Sequence, residues 1–188
     1  MGEKTGKMGS FRATPEGTVT WRWPLWGAPP RLPDEPGQFG AVRKHDIHTG
    51  VDLYTYPGSC VLAVEDGVVV AIEDFTGAVA GSPWWADTQA ILVEGKSGVV
   101  CYGELIAPRR LAVGDRIQAD GFLGCVKTVL RQDKGRPMTM LHFELYTHGT
   151  RETVWWRLGE PRPANLLDPT EQLTEALETT QALTEVRP

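Results

Sequence analysis

His48-Thr49-Gly50-Val51-Asp52 sets a histidine and an aspartate four positions apart, with a glycine midway. Imidazole and carboxylate are both zinc ligands, bonding at about 2.0–2.2 Å. The stretch does not read as helix. Thr49, Gly50 and Val51 are poor helix formers, and Pro57-Gly58 punctuates the chain soon afterwards. On a straight strand the two side chains would share a face but sit about 13 Å apart, at roughly 3.3 Å per residue. They can share one ion only if the chain bends between them, which Gly50 permits. Two ligands make a weak site and the spacing alone is common by chance, so a third ligand must come from elsewhere.

The candidate is His142, in Met140-Leu141-His142-Phe143-Glu144-Leu145. Met138 to Tyr146 is the strongest strand signal in the chain. Its alternation puts Leu141, Phe143 and Leu145 on a core face and Met140, His142 and Glu144 on the face of a groove. Short strands joined by turns occupy the interval between the two motifs. Val61 to Ile72 reads as a hairpin around Glu65-Asp66-Gly67. Ala90–Val93 and Val99–Leu105 read as a second hairpin around Gly95-Lys96-Ser97-Gly98, and Gly121–Val126 as a further strand. Thr18 to Trp26, with Trp21, Trp23 and Trp26, reads as an opening strand or an aromatic plug. Residues 27–37, rich in proline, read as extended loop. Trp84-Trp85 lies in a loop and serves either packing or a substrate wall; Trp155-Trp156 supplies more aromatic surface. Helical spacing begins only near the end, at Leu173, Ala176, Leu177, Thr180 and Leu183. Asp168 suits its N-cap, Pro169 its N1 position and Glu171 its N3 position.

Composition bounds the function. The 188 residues are 41% hydrophobic and 23% charged, as in an ordinary globular protein. A net charge of −5 and a pI near 5.4 argue against an electrostatic nucleic-acid binder. Cys60, Cys101 and Cys125 form no Cys-x-x-Cys pair, which argues against a zinc ribbon and leaves buried reduced thiols as the expectation. No signal peptide and no bilayer-length apolar run is visible. The expected location is cytoplasmic, or extracellular or periplasmic if an export segment has been removed. The expected organisation is a flexible N-terminal segment over 1–17, a β domain over 18–150, and a C-terminal extension over 151–188 with its helix from about 169.

Taken together, these motifs resemble the lysostaphin-type (LytM-like) zinc endopeptidases, which cut peptide cross-links in bacterial cell walls. Trp23-Pro24-Leu25 and Phe39-Gly40-Ala41-Val42-Arg43 are similar to that family's opening segments. His48-Thr49-Gly50-Val51-Asp52 and Leu141-His142-Phe143-Glu144-Leu145 are similar to its two ligand motifs, and Asp168-Pro169 with Leu173 to its close. The resemblance implies an all-β fold, with antiparallel sheets forming an open groove and a short C-terminal helix. It implies zinc held by His48, Asp52 and His142, and a peptide of the bacterial cell wall, or another peptide, as substrate. Zinc would lower the pKa of a bound water toward about 7 and polarise a scissile carbonyl.

Two positions depart from the family pattern. Its last motif reads His-x-His, and here the first position is Met140. Its Tyr-x-His-Leu stretch is here Tyr102-Gly103-Glu104-Leu105. Glutamate accepts a proton and methionine does not, so Glu104 is the candidate catalytic residue, with closure of the zinc sphere as a fourth ligand the alternative. Glu144 and Met140 are expected beside the ligands, Glu144 orienting one of them. Trp84, Trp85 and Tyr102 are candidates for the substrate groove. His45 is expected to be a solvated loop histidine rather than a substitute catalytic partner, and His148 to be exposed. The sequence thus supports a zinc hydrolase with atypical catalysis around Glu104. The alternatives are a catalytically inactive zinc-containing binding or regulatory module on the same fold and, more remotely, a metal-free structural domain.

Overall fold

The computed structural model describes residues 20–26, 32–133, 135 and 137–185. The expected N-terminal segment over 1–17 and part of the proline-rich loop lie outside these residues.

Nine strands and one helix form among the described residues. The strands are β1 (Val51–Tyr54), β2 (Cys60–Leu62), β3 (Gly67–Thr76), β4 (Thr88–Gly95), β5 (Val99–Ile106), β6 (Arg116–Ile117), β7 (Phe122–Val126), β8 (Met140–Tyr146) and β9 (Leu166–Leu167). The helix is α1 (Thr170–Glu185). Every strand pairing is antiparallel, and the main path runs β1-β8-β5-β4-β3-β6. β2 joins through β7, which pairs with β5, and β9 joins through β8. This is the antiparallel, mostly-β architecture with a short C-terminal helix that the sequence leads one to expect.

β8 is the axis of the sheet, hydrogen-bonded to β1, β5 and β9, and all its residues are buried. Its alternation divides the molecule. Leu141, Phe143 and Leu145 enter the main core with Val51, Leu53, Val100 and Tyr102. That core is closed by Trp21, Trp23 and Leu25 from the N-terminal stretch and by Leu173, Ala176 and Leu177 of α1. The opposite face holds a smaller apolar cluster around Val99, Cys101, Tyr146 and Leu166, and next to it the polar face of β8. The helix starts as its sequence dictates: Asp168 Oδ1 accepts the Thr170 N–H at 2.9 Å, an N-cap hydrogen bond.

One expected hairpin does not form. β2 pairs with β7, while β3 pairs with β4 and β6. Glu65-Asp66 turns the chain from one strand pair to the other instead of folding it back. The turn is anchored elsewhere: Ser97 N–H and Oγ bond Glu65 Oε1, and Asp66 Oδ1 accepts the Ala119 N–H at 2.7 Å. The second expected hairpin, β4 to β5, forms in the register Gln89↔Leu105 to Glu94↔Val99. It contains one irregularity. Gln89 to Ile91 on β4 faces Leu105 to Tyr102 on β5, so β5 carries one extra residue, a β-bulge at Gly103-Glu104.

Candidate metal centre

Asp52 and His142 are direct cross-strand partners of β1 and β8. On one face of an antiparallel pair such residues have Cβ atoms about 4.5–5.5 Å apart. His48 reaches the same point from the segment before β1, which does not continue as a strand. His48 N–H donates to the Ala41 carbonyl at 2.9 Å, and the His48 carbonyl accepts the Gly40 N–H at 2.9 Å. The bend expected at Gly50 is present, and close approach to β8 accounts for the glycine there. A Cβ at this position would overlap the Phe143 carbonyl oxygen and lie 2.9 Å from Glu144 Cγ. Gly50→Ala is therefore expected to destabilise the fold by about 1–3 kcal/mol, the usual range for forcing an extra carbon into a packed site. A urea titration reads this directly, and an unchanged midpoint would show that β1 and β8 have room to part.

The three candidate donor atoms form a tight triangle. His48 Nε2 lies 3.0 Å from Asp52 Oδ1, His142 Nδ1 lies 2.9 Å from the same oxygen, and the two nitrogens are 3.1 Å apart. Among the described residues this is the one group of three such donors close enough to share an ion. Tetrahedral bonds of about 2.0–2.1 Å would separate neighbouring donors by roughly 3.3–3.4 Å, so after a small expansion these three residues would hold a zinc-sized ion.

The outer atoms support that fit. His48 Nδ1 donates to the Gln38 carbonyl at 2.8 Å, because a carbonyl can only accept. His142 Nε2 lies 3.0 Å from Glu144 Oε1, again an acceptor. Each ring thus turns its other nitrogen inward, the arrangement that orients histidine ligands in metal sites. Asp52 offers Oδ1 to the triangle, and its Oδ2 is held by Arg43 Nη2 at 2.6 Å. Glu144 is held at both oxygens: Oε1 faces His142, and Oε2 accepts Tyr146 Oη–H at 2.7 Å.

The cluster attracts positive charge. Burial alone would raise the Asp52 pKa, but the hydrogen bond from His142 leads the interactions that hold this carboxyl well below the usual carboxylate range. Burial opposes protonation of His142, yet the flanking Glu144 and Asp52 push its ring up to about 10. Burial keeps His48 below the usual imidazole value.

Glu104 lies in the same groove but outside the triangle. Its placement depends on the bulge. Tyr102 faces the core opposite Phe143, and plain alternation would send Glu104 the same way. The extra residue, with Glu104 at φ +64°, re-aims the side chain into the groove. β5 forks here, leaving β8 after Gly103 and joining β7 at Leu105. Glu104 Oε2 is buried with no hydrogen-bond partner among the described residues. Burial, reinforced by the charge of Asp52, pushes its carboxyl up to about 8.

The bulge also corrects one expectation. Tyr102 is not a groove residue. It is 1% exposed in the main core, and its hydroxyl accepts the Val64 N–H at 2.9 Å. Trp85 lines the groove together with Phe75, Trp155 and Trp156, whereas Trp84 stands outside it, 64% exposed and edge-on to Trp85. Met140 is buried opposite Tyr54 and places no proton acceptor beside His142. His45 is exposed and does not line this groove, and His148 is exposed near Glu94. Arg43 and Tyr146 received no role from the sequence. Arg43 carried no local signal, but Tyr146 continues the alternation Met140, His142, Glu144 and was open to that reading.

The groove encloses about 190 Å³. Asp46, Asp74 and Glu104 give it an acidic lining, and Phe75, Trp85, Trp155 and Trp156 give it aromatic walls. Thr153 ties one wall to β3 through Glu73 Oε1, at 2.6 Å from its hydroxyl.

No family profile and no curated protein matches this sequence. Solved structures do. CbpA from L. salivarius REN is 22% identical, with a TM-score of 0.54 over 85% of this chain and 98% of that one. The catalytic domain of the antimicrobial peptidase lysostaphin from Staphylococcus simulans is 16% identical, with a TM-score of 0.50 over 76% and 92%. A provisionally assigned M23 peptidase from Pseudomonas aeruginosa is 15% identical, with a TM-score of 0.50 over 89% of this chain but only 55% of its own length. At these identities the likeness is one of fold: the chain is built as the M23 and lysostaphin peptidase domains are built.

Proposed function

We propose that this chain is a zinc-dependent hydrolase of peptide bonds, acting on peptides of the bacterial cell wall or similar peptides, with His48, Asp52 and His142 holding the metal and Glu104 managing the proton. The observation that carries this reading is the Glu104 carboxylate, buried in the groove beside the ligand triangle with one oxygen free to accept. Zinc, when bound, supplies Lewis acidity at this point.

The protein's own groups do the rest. Glu104 Oε2 takes a proton from the attacking water and returns it to the leaving amine. A divalent charge nearby lowers a carboxyl pKa, which brings a group otherwise near 8 toward the range where a base works best. Arg43 fixes Asp52, Glu144 fixes His142, and Trp85, Trp155 and Trp156 exclude water from one side of an extended peptide.

Met140 favours a second reading, a zinc-containing binding or regulatory module without hydrolysis, because a proton acceptor is missing on one side of His142. Release of new amino termini from purified cell-wall peptides separates the two. The expected result is release by the protein carrying one zinc per chain, lost on chelation and restored by stoichiometric zinc. Full zinc occupancy without release, unchanged in Glu104→His with Met140→His, would establish the binding module instead.

A further inference from the structure

Cys60 on β2 and Cys125 on β7 are direct cross-strand partners, although 65 positions separate them in sequence. The local hydrogen bonds fix the type of pair. The Cys60 carbonyl accepts from Trp26 N–H at 3.1 Å, on the side away from β7, while Val126 N–H bonds the carbonyl of the preceding Ser59 at 2.9 Å. Cys60 and Cys125 therefore occupy a non-hydrogen-bonded site. Such residues have Cα atoms about 4.5 Å apart, the closest approach in an antiparallel ladder and inside the disulfide range of about 4.4–6.8 Å. The two thiols are close enough for Cys60 to push the Cys125 thiol up, behind burial as the larger cause, and both residues are half-buried. Cys101, the third cysteine, is fully buried and faces Glu144 across β8.

We propose that Cys60 and Cys125 are a thiol–disulfide exchange site, closing to an intramolecular disulfide between β2 and β7 on reaction with a small disulfide such as oxidised glutathione. One cysteine thiolate attacks the small disulfide, forms a mixed disulfide and releases one glutathione thiol. The opposing cysteine then attacks the protein sulfur of that adduct and expels the second glutathione thiol. Two electrons pass from the cysteine pair to the glutathione disulfide, and the two cysteine protons end on the two released thiols. The pair sits beside the fork that carries Glu104, since Val126 pairs with Leu105 and Lys127 N–H bonds the Glu104 carbonyl at 3.0 Å. Closure would pin that fork from outside the groove.

The test treats the reduced full chain with oxidised glutathione, alkylates it after unfolding, and maps the peptides by mass. The expected product is lighter than the reduced protein by two hydrogens, linked Cys60 to Cys125, with Cys101 as the only alkylated residue. Closing a loop of this length is expected to raise the melting temperature by about 5–15 °C. Cys60→Ser and Cys125→Ser should each stop at a single glutathione adduct, because the resolving thiol is gone. Three alkylatable thiols after treatment, a stable glutathione adduct on the unaltered protein, a bridge to Cys101, or a bridge with no rise in melting temperature would each overturn the proposal.

Discussion

Replacing Glu104 by glutamine is expected to slow peptide release by about 10²–10⁴-fold, the usual worth of a positioned acid–base group, while zinc stays at one per chain. The amide keeps the size and the left-handed backbone demand of the site but cannot take a proton. Glu104 lies outside the ligand triangle, so the metal loses nothing by the change. A fall in zinc content in Glu104→Gln would instead make the carboxylate a ligand, and equal rates with full zinc would remove it from the chemistry. The substitution also bears on folding. With metal removed, the variant should become the more stable of the two as pH rises through about 8, where the parent's buried carboxyl ionises, since an uncharged amide is cheaper to bury than a carboxylate.

His142→Ala is the second large effect. Zinc content should fall from about one per chain to near zero, because two remaining ligands do not make a competent site. The variant should also lose stability by about 3–5 kcal/mol, since Asp52 and Glu144 each lose the partner that compensates their burial. Melting with and without a chelator separates the two consequences. The parent should melt lower when stripped of metal, because an ion bound only by the folded state stabilises it. The variant should melt at one temperature in both conditions. Stoichiometric zinc in His142→Ala would remove the assignment of this residue.

Much of this was legible in the sequence because it rests on periods. The alternation through β8 assigns Leu141, Phe143 and Leu145 to the core and Met140, His142 and Glu144 to the groove face, and the structure follows it for all but Met140, which is buried at the start of the strand and does not line the groove. The Asp168 cap and the β4–β5 hairpin were equally readable, since each is set by neighbours in the chain. The failures share another cause. Tyr102 and Glu104 stand two apart and read as one face, yet a single inserted residue separates them into core and groove. Nothing local announces that insertion: Gly103 is the only hint. The Glu65-Asp66-Gly67 turn looked like a hairpin because the signal for a reversal does not say which strand comes next. Arg43 reaches Asp52 only once the sheet is assembled.

The chain of hydrogen bonds from His142 through Glu144 and Tyr146 does not end in the sheet. Tyr146 Oη also accepts the Val154 N–H at 3.2 Å, in the segment that carries Trp155 and Trp156. An outward excursion of that aromatic wall would be felt at the centre: it would break the bond at Val154 and leave the Tyr146 hydroxyl held only by Glu144, the carboxylate that orients His142. The amide of Val154, near the surface and remote in sequence from His48, becomes a reporter of the centre: its hydrogen-exchange rate should fall when an ion or a peptide steadies the far end of the relay.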